Sequence, residues 1–378
     1  MPGYFRDYSK RAQNRAHDYG RRAHQKTKQK SHRKTIGIVI GMLVVLVGAG
    51  VAIPHVFPQG LHADEVLAGR GGGLSILSIT SGASKQILAP PPAGQAYTTW
   101  GLSQDRSMFL VAWCHENKAG DPASADRMEL QLHGSYSGGQ RWEYPLDPSK
   151  VSAADLQIGY IPRTRDIWLL SRGRLWIMDD ASGATRAVTI PPDELLVSRV
   201  AFSPDGTRIA YAGASTGGNT LVAVSDFDGS KISNPELLSP PNAAGAGGPP
   251  TLNESNWSGY YISSLCMVST NEIAVVQSRA VTTLIALVPA PSSVSMARLT
   301  RGADERWVDV PVGGSISSMS ASPDRKSLLV WVNSPQGQYL TFVQTGTGQP
   351  SSAAANPSRK VDVPASKGWR PPVAWSAQ

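Results

Sequence analysis

The stretch FSPDGTRIAYAG, residues 202–213, couples a tight turn to an alternating strand, and it recurs along the chain. Proline presets φ, aspartate bonds back to the backbone and glycine accepts a left-handed dihedral, so Ser-Pro-Asp-Gly is a turn with a mechanism. Arg208-Ile209-Ala210-Tyr211 then alternates polar and apolar, as a half-buried strand does. Aligned on the turn, the same pattern reads GLSQDRSMFLVAW from Gly101, IGYIPRTRDIWLL from Ile158 and VAFSPDGTRIAYA from Val200. It returns as SLCMVSTNEIAVV from Ser264 and SMSASPDRKSLLVWV from Ser318.

The starts are spaced at or above the ~40–50-residue period of tandem four-stranded units. A third strand follows in GRLWIMDD (173–180), NTLVAVSDFDG (219–229) and TTLIALVPA (282–290), and a weaker fourth in TRAVTI (185–190) and SMARLT (295–300). The C-terminal PVAWSAQ matches the first strand of a unit and then stops, whereas Asp64–Leu88 reads as strands two to four of a unit lacking its first. The two ends together complete a sixth unit, which removes sheet edges and ties both termini into the fold. The expectation is an all-β, six-bladed β-propeller over residues 64–378, closed by N- and C-terminal strands.

FSPDGTRIAYAG resembles the PD40-type (WD40-like) repeat of the TolB-like propellers, and SASPDRKSLLVWV resembles it more loosely. The resemblance covers residues 99–334 and is specific in those two repeats; SQDR, PRTR and STNE lack the Pro-Asp pair. It implies a ring presenting loops and a central channel to protein or peptide partners, and it implies no reaction.

Charge divides the chain. Residues 1–34 hold eleven Lys/Arg against Asp7 and Asp18, while the remainder carries 25 basic and 26 acidic residues. Directly after this basic tail comes TIGIVIGMLVVLVGAGVAIP, and no Asp, Glu, Lys or Arg occurs from Thr35 to Ala63. About 20 apolar residues span a bilayer core of about 30 Å, and the positive-inside rule puts the tail in the cytoplasm. The expectation is a single-pass bacterial plasma-membrane protein: a cytoplasmic tail over 1–34, disordered or on the membrane surface, a transmembrane helix over 35–57 and an extracytoplasmic propeller. A cleaved signal peptide, with LHA at 61–63 as its cleavage site, is the alternative. Arg21, Arg22, Lys26, Lys28, Lys30, Arg33 and Lys34 are the candidates for contact with anionic lipid. Gly37 and Gly41 form a G-x-x-x-G pair suited to a transmembrane homodimer. A nucleic-acid partner is disfavoured, because a short tail offers no base-reading element.

The turns between first and second strands are uniformly short, and the longer connections (89–98, 114–126, 239–261, 301–315, 364–371) belong to the opposite face; the insert at 345–358 is the exception. Binding residues concentrate on loops carried by rigid scaffolds. Tyr97, Trp257, Tyr260, Tyr261, Trp307 and Trp369 lie in these connections and are the candidate partner-binding anchors. The alternative is that these rings pack beneath their own loops.

Motifs that suggest chemistry lack their context. Gly213-Ala214-Ser215-Thr216-Gly217 matches G-x-S-x-G but joins two strands, without the helix a nucleophile elbow requires. Cys114, His115, Glu116, Asp121, Asp126 and His133 fit no zinc spacing. The GRGGG run at 69–73 has no following lysine or helix, and SDFDGS lacks the later ligands of a calcium loop. Neither a metal nor a cofactor is expected. Cys114 and Cys266 sit in apolar runs, where either a disulfide or two buried thiols is open. The innermost strand segments TWGLS, QIGYI, VAFS, SSLCMV, SSMSA and VAWS carry no acid and no histidine. The resulting expectation is a membrane-anchored, non-enzymatic scaffold for protein or peptide partners in the cell envelope. The rivals are a propeller hydrolase or lyase with a channel site, and a ligand sensor signalling through the tail.

Overall fold

Alternating strands joined by four-residue turns build a succession of antiparallel sheets. The computed structural model describes residues 60–118, 121–191, 195–215, 218–238, 240, 257, 260–282, 287–289, 293–298, 307–311, 314–345, 361–363 and 367–376. The first sheet holds β1 (Glu65–Arg70), β2 (Gly73–Ser78) and β3 (Ser84–Leu88), with the C-terminal strand Trp369–Ala374 on the free side of β1. The second is β4 (Gln95–Leu102), β5 (Met108–Glu116), β6 (Ala125–Gly134) and β7 (Gln140–Leu146). The third is β8 (Gln157–Tyr160), β9 (Ile167–Ser171), β10 (Arg174–Met178) and β11 (Thr185–Val188). The fourth is β12 (Leu196–Phe202), β13 (Arg208–Ala214), β14 (Thr220–Phe227) and β15 (Ile232–Leu237). The fifth contains β16 (Tyr260–Ser269), β17 (Glu272–Thr282), β18 (Leu287–Pro289), β19 (Ser293–Arg298) and β20 (Trp307–Pro311). The sixth is β21 (Ser315–Ala321), β22 (Ser327–Ser334), β23 (Gly337–Gln344) and β24 (Val361–Asp362), and the C-terminal strand is β25. The expected pairing of the chain's two ends is present: Leu67 lies opposite Ala374 and Arg70 opposite Trp369.

The first turn of the second, fourth and sixth sheets is fastened by a serine and an aspartate. Ser103, Ser203 and Ser322 donate their hydroxyls to Asp105, Asp205 and Asp324 at 2.6, 2.5 and 2.6 Å. The same hydroxyls accept the backbone N–H of Met108, Arg208 and Ser327 at 3.1, 2.9 and 3.0 Å. The turn SQDR therefore matches SPDG without its proline, because serine and aspartate make the bonds that define it. Four of the first turns hold one left-handed residue: Arg106 (φ 60), Arg163 (φ 66), Gly206 (φ 67) and Arg325 (φ 61). Gly206 is required twice over, since a Cβ there would meet the Pro162 carbonyl oxygen at 2.4 Å.

Asp205 also ties the fourth sheet to the fifth, accepting from Thr270 Oγ1 at 2.9 Å. Burial pushes its carboxyl up, but bonds from Ser203, Thr207 and Thr270 outweigh this and bring it down to about 2. A carboxylate held below its ordinary 3.8 contributes stability above that value and loses it as pH falls through the folded value. Between pH 4 and pH 2, wild type is therefore expected to lose stability faster than Asp205→Asn, with parallel curves above pH 5. Urea midpoints at half-unit pH steps check this, and parallel curves throughout would remove Asp205 from the acid response.

Six apolar layers lie between successive sheets. Phe109 and Val111 of the second sheet pack with Leu67, Leu74 and Ile76 of the first. Leu110 and Leu130 pack with Leu169 and Met178 of the third, and Trp168 and Ile177 with Phe202 and Tyr211 of the fourth. Val222 and Val224 meet Leu265 and Val275, and Ala274 and Val276 meet Leu328 and Val330. The last layer joins Leu329, Trp331 and Leu340 of the sixth sheet to Val66, Ala68 and Leu77 of the first, with Trp369 and Val373 of β25 between. Alternate residues of each central strand thus enter two different layers, which is why these strands read as continuous apolar runs.

The fifth sheet departs from the sequence reading. Its third strand is β19, paired with β17 from Glu272↔Arg298 to Gln277↔Ser293, and its fourth is β20. The segment expected as the third strand forms β18 instead, pairing only with the far end of β17 through Ala280↔Pro289. The reason is length. β17 has eleven residues, and its fully buried part, Ile273–Val276, takes the in-sheet partner while the remainder extends beyond it.

Among the described residues no helix is long and apolar enough to cross a membrane. The expected tail at 1–34 and span at 35–57, including Gly37, Gly41, Arg21, Arg22, Lys26, Lys28, Lys30, Arg33 and Lys34, lie outside the described residues.

Candidate functional site

The first strand of every sheet lines one central cavity of about 730 Å³. Its wall comprises Thr98–Leu102 of β4, Gln157–Gly159 of β8, Leu196–Val200 of β12, Ser263–Leu265 of β16, Ser317–Met319 of β21 and Pro372–Ala374 of β25. Four of these strands carry a register shift near their start: at Tyr97/Thr99, Val197/Arg199, Ile262/Ser264 and Ile316/Ser318. A bulge adds one residue and re-aims the chain locally. The added residue is Thr98, Ser198, Ser263 or Ser317, a hydroxyl each time. Thr98, Ser198 and Ser263 donate to the Ala112, Ala212 and Ile316 carbonyls at 3.4, 3.3 and 3.4 Å, and Ser317 accepts from the Asn333 side-chain amide.

Arg199 of β12 stands among these hydroxyls. Arg199 donates through Nε to the Ser263 carbonyl and through Nη1 to the Ser198 carbonyl, both at 2.6 Å, which fixes the guanidinium plane in the wall. Gln157 Nε2 reaches the same Ser198 carbonyl at 2.9 Å. The β7–β8 connection adds Asp155 to the lining, and the β9–β10 turn adds Arg172. Asp155 accepts from Ser171 Oγ at 2.6 Å and from the Arg172 backbone N–H at 2.7 Å, so each of its oxygens is engaged.

The predicted aromatic anchors do not form a loop-borne set. Trp257 is a correction: it is 0% exposed, packs between the fourth and fifth sheets and donates through Nε1 to the Leu238 carbonyl at 2.8 Å. Trp369 is another, buried at 7% exposure as the first residue of β25, with the Arg70 guanidinium 5.1 Å from its ring. Large rings beside the sheets gain more by completing the apolar layers than by facing water. Tyr97 lies in β4, half-buried against the layer between the first and second sheets, where burial raises its phenol pKa. Tyr260, Tyr261 and Trp307 begin strands β16 and β20 rather than lying in loops, and their side chains lie outside the described residues.

The other motifs resolve into turns. Ser215 and Asn219 bond to each other across the β13–β14 hairpin. His115 pairs with Asp126 at 3.0 Å, and Asp121 caps the short helical turn Pro122–Ser124, so the residues around Cys114 do not converge. No group of three potential metal ligands occurs among the described residues. Gly71 and Gly72 form the β1–β2 turn at φ 56 and 85, and Asp228 accepts from Ser230 and Lys231 in a hairpin turn. Cys114 and Cys266 are separate buried thiols, and burial raises the pKa of both.

Sequence reasoning missed the hydroxyl ring and Arg199. Their signal is a recurring doublet starting at the third or fourth residue of each bulged strand: Thr98-Thr99, Ser198-Arg199, Ser263-Ser264 and Ser317-Ser318, each after an apolar or aromatic residue.

No family model matches the sequence, and no curated protein does. Among solved structures, a chain of the nidogen/laminin complex is similar at a TM-score of 0.53 and 10% identity, covering 82% of this chain and 97% of that one. The fold is a β-propeller. TolB from Acinetobacter baumannii matches at a TM-score of 0.48 and 12% identity, covering 82% of this chain and 66% of its own. The β-propeller domain of Cps50 (Swd1) from Myceliophteria thermophila matches at 0.47 and 10% identity, covering 75% and 80%.

Proposed function

We propose that this chain is a six-bladed propeller of the TolB-like kind that binds protein or peptide partners on its loop-rich face and catalyses nothing. The observation that carries the reading is the set of six antiparallel sheets whose first strands line one cavity. Such a ring holds loops still, which lowers the ordering cost of binding. The nidogen/laminin chain was solved within a protein complex, and the same use suits this propeller. The described channel strands bear no acid and no histidine, whereas a hydrolase or lyase site needs such groups to converge. In this reading residues 35–57 anchor the propeller outside the plasma membrane of a bacterial cell, with the basic tail inside on anionic lipid and Gly37 and Gly41 available to a second copy.

A crosslinked pull-down from native membranes tests this, comparing full-length protein with a variant lacking residues 2–34. Envelope proteins recovered equally with both are the expected result. Partners that vanish with the tail would move the working end of the molecule to the cytoplasm.

A further inference from the structure

We propose that the corner of the first sheet formed by the β1–β2 turn and the start of β25 is a docking surface for an acidic peptide segment of a partner protein. The turn Arg70-Gly71-Gly72-Gly73 lies beside the connection into β25, where the Gly71 N–H donates to the Gly368 carbonyl at 2.8 Å. Lys367 is exposed at this corner, and Arg70 and Arg370 are half-buried in it. Arg70 stacks over the Trp369 ring at 5.1 Å and donates through Nη1 to Ser84 Oγ. Arg370 lies over Trp100 at 5.8 Å, and its Nη2 donates to the Gly72 and Tyr97 carbonyls at 3.1 and 3.2 Å. Gly69 makes room for it, since a Cβ there would meet Arg370 Cγ at 2.5 Å and the Trp100 ring at 2.7 Å. Arg70 is opposite Trp369 and Gly69 opposite Arg370, so the two guanidinium groups leave the sheet on opposite faces. Trp369 therefore meets a partner through the cation it supports.

The charge of the corner selects the partner. Among the described residues Arg70, Lys367 and Arg370 form no ion pair. The chain holds no acidic residue from Val66 to Gln104 or from Val363 to Gln378. Other buried arginines differ: Arg106 has Glu65 and Asp64 beside it, and Arg208 has Asp226 and Glu236. Burial lowers the pKa of Arg370, and no carboxylate acts against it. A phosphate cradle needs converging backbone N–H groups, and the Gly71 N–H is spent on Gly368. Guanidinium groups held in place by rings and carbonyls match carboxylates instead. Carboxylates spaced along an extended segment can reach cations on both faces of the corner, as acidic motifs do at arginine clusters. This assignment rests on the reading that the propeller binds protein partners on this face.

The test is fluorescence anisotropy of the full-length protein with a fluorescein-labelled octapeptide of alternating Glu and Ala, and the same peptide with Gln for Glu as a second arm. Saturable binding of the Glu peptide is expected, with the Gln peptide weaker by roughly tenfold or more. Arg70→Gln and Arg370→Gln are each expected to weaken the Glu peptide by roughly tenfold. Lys231→Gln, in the β14–β15 turn of the fourth sheet, is expected to leave it unchanged. Lys367→Glu, at an exposed position, is expected to weaken it by roughly tenfold or more without moving the melting temperature. It decides the matter should Arg370→Gln fail to fold. Binding that resides in the basic tail would survive both Lys367→Glu and Arg70→Gln, and that result would overturn the proposal. So would equal binding of the Gln peptide, or displacement by inorganic pyrophosphate at lower concentration than by unlabelled Glu peptide. Failure here with envelope proteins still recovered in the pull-down removes only the acidic-partner assignment. Partners that vanish with the tail while the peptide still binds at the corner remove only the outward reading.

Discussion

Trp257→Ala is expected to destabilise the propeller by about 3–5 kcal/mol, with partner recovery per folded molecule unchanged. The indole is fully buried between the fourth and fifth sheets among Leu238, Ile262, Leu265 and Met267. Truncation removes that contact area and leaves a cavity which the surrounding strands cannot close. It also strands the Leu238 carbonyl, which the indole N–H satisfies at 2.8 Å. Trp257→Phe keeps most of the apolar volume and loses the bond, so it should cost a fraction as much. Urea unfolding of the two variants at unchanged slope measures both. Partner recovery lost while the urea midpoint stays in place would instead make Trp257 an interface anchor.

Removing residues 364–378 has the second large effect. Deleting β25 bares the edge of β1 and takes Trp369, Val373 and Trp375 out of the layer between the sixth and first sheets. It also breaks the bonds from Trp375 Nε1 to the Ala63 carbonyl at 2.8 Å and from the Val373 and Trp375 backbone N–H groups to Ser318 and Ser320 at 3.0 Å. Arg370, which bridges the Gly72 and Tyr97 carbonyls at 3.1 and 3.2 Å, goes with it. The summed loss is expected to exceed about 5 kcal/mol, comparable to the whole net stability of many domains. The truncated chain should show no cooperative thermal transition and should associate through the open edge, and a synthetic peptide of residues 364–378 should restore the transition. A cooperative transition retained without β25 would mean that the ring does not depend on its closing strand.

The sequence carried the blade pattern plainly, because the turn residues act locally. Ser203 and Asp205 fasten their turn to neighbours within five residues, so no distant contact is needed to make FSPDG a corner. SQDR was harder to read only because its proline is missing, while the bonding pair Ser103 and Asp105 is present. The pairing of β25 with β1 was legible for a related reason: one end of the chain has a strand too many and the other a strand too few.

What tertiary structure alone decided was which side of each residue would be covered. A tryptophan in a connection looks the same in sequence whether it faces water or fills a layer; the neighbouring sheet makes Trp257 core. The same holds for the site. Ser198, Ser263 and Ser317 are unremarked serines in apolar strands until a bulge in each turns them into one cavity. Arg199 donates to the Ser263 carbonyl of the next sheet, 64 residues away. Outside the fifth sheet, the sequence by itself determined the strands, the turns and the closing pair, since hydrophobic period and turn chemistry act over a few residues. Burial and the convergence of side chains depend on neighbours distant in sequence, and only the assembled ring supplies them.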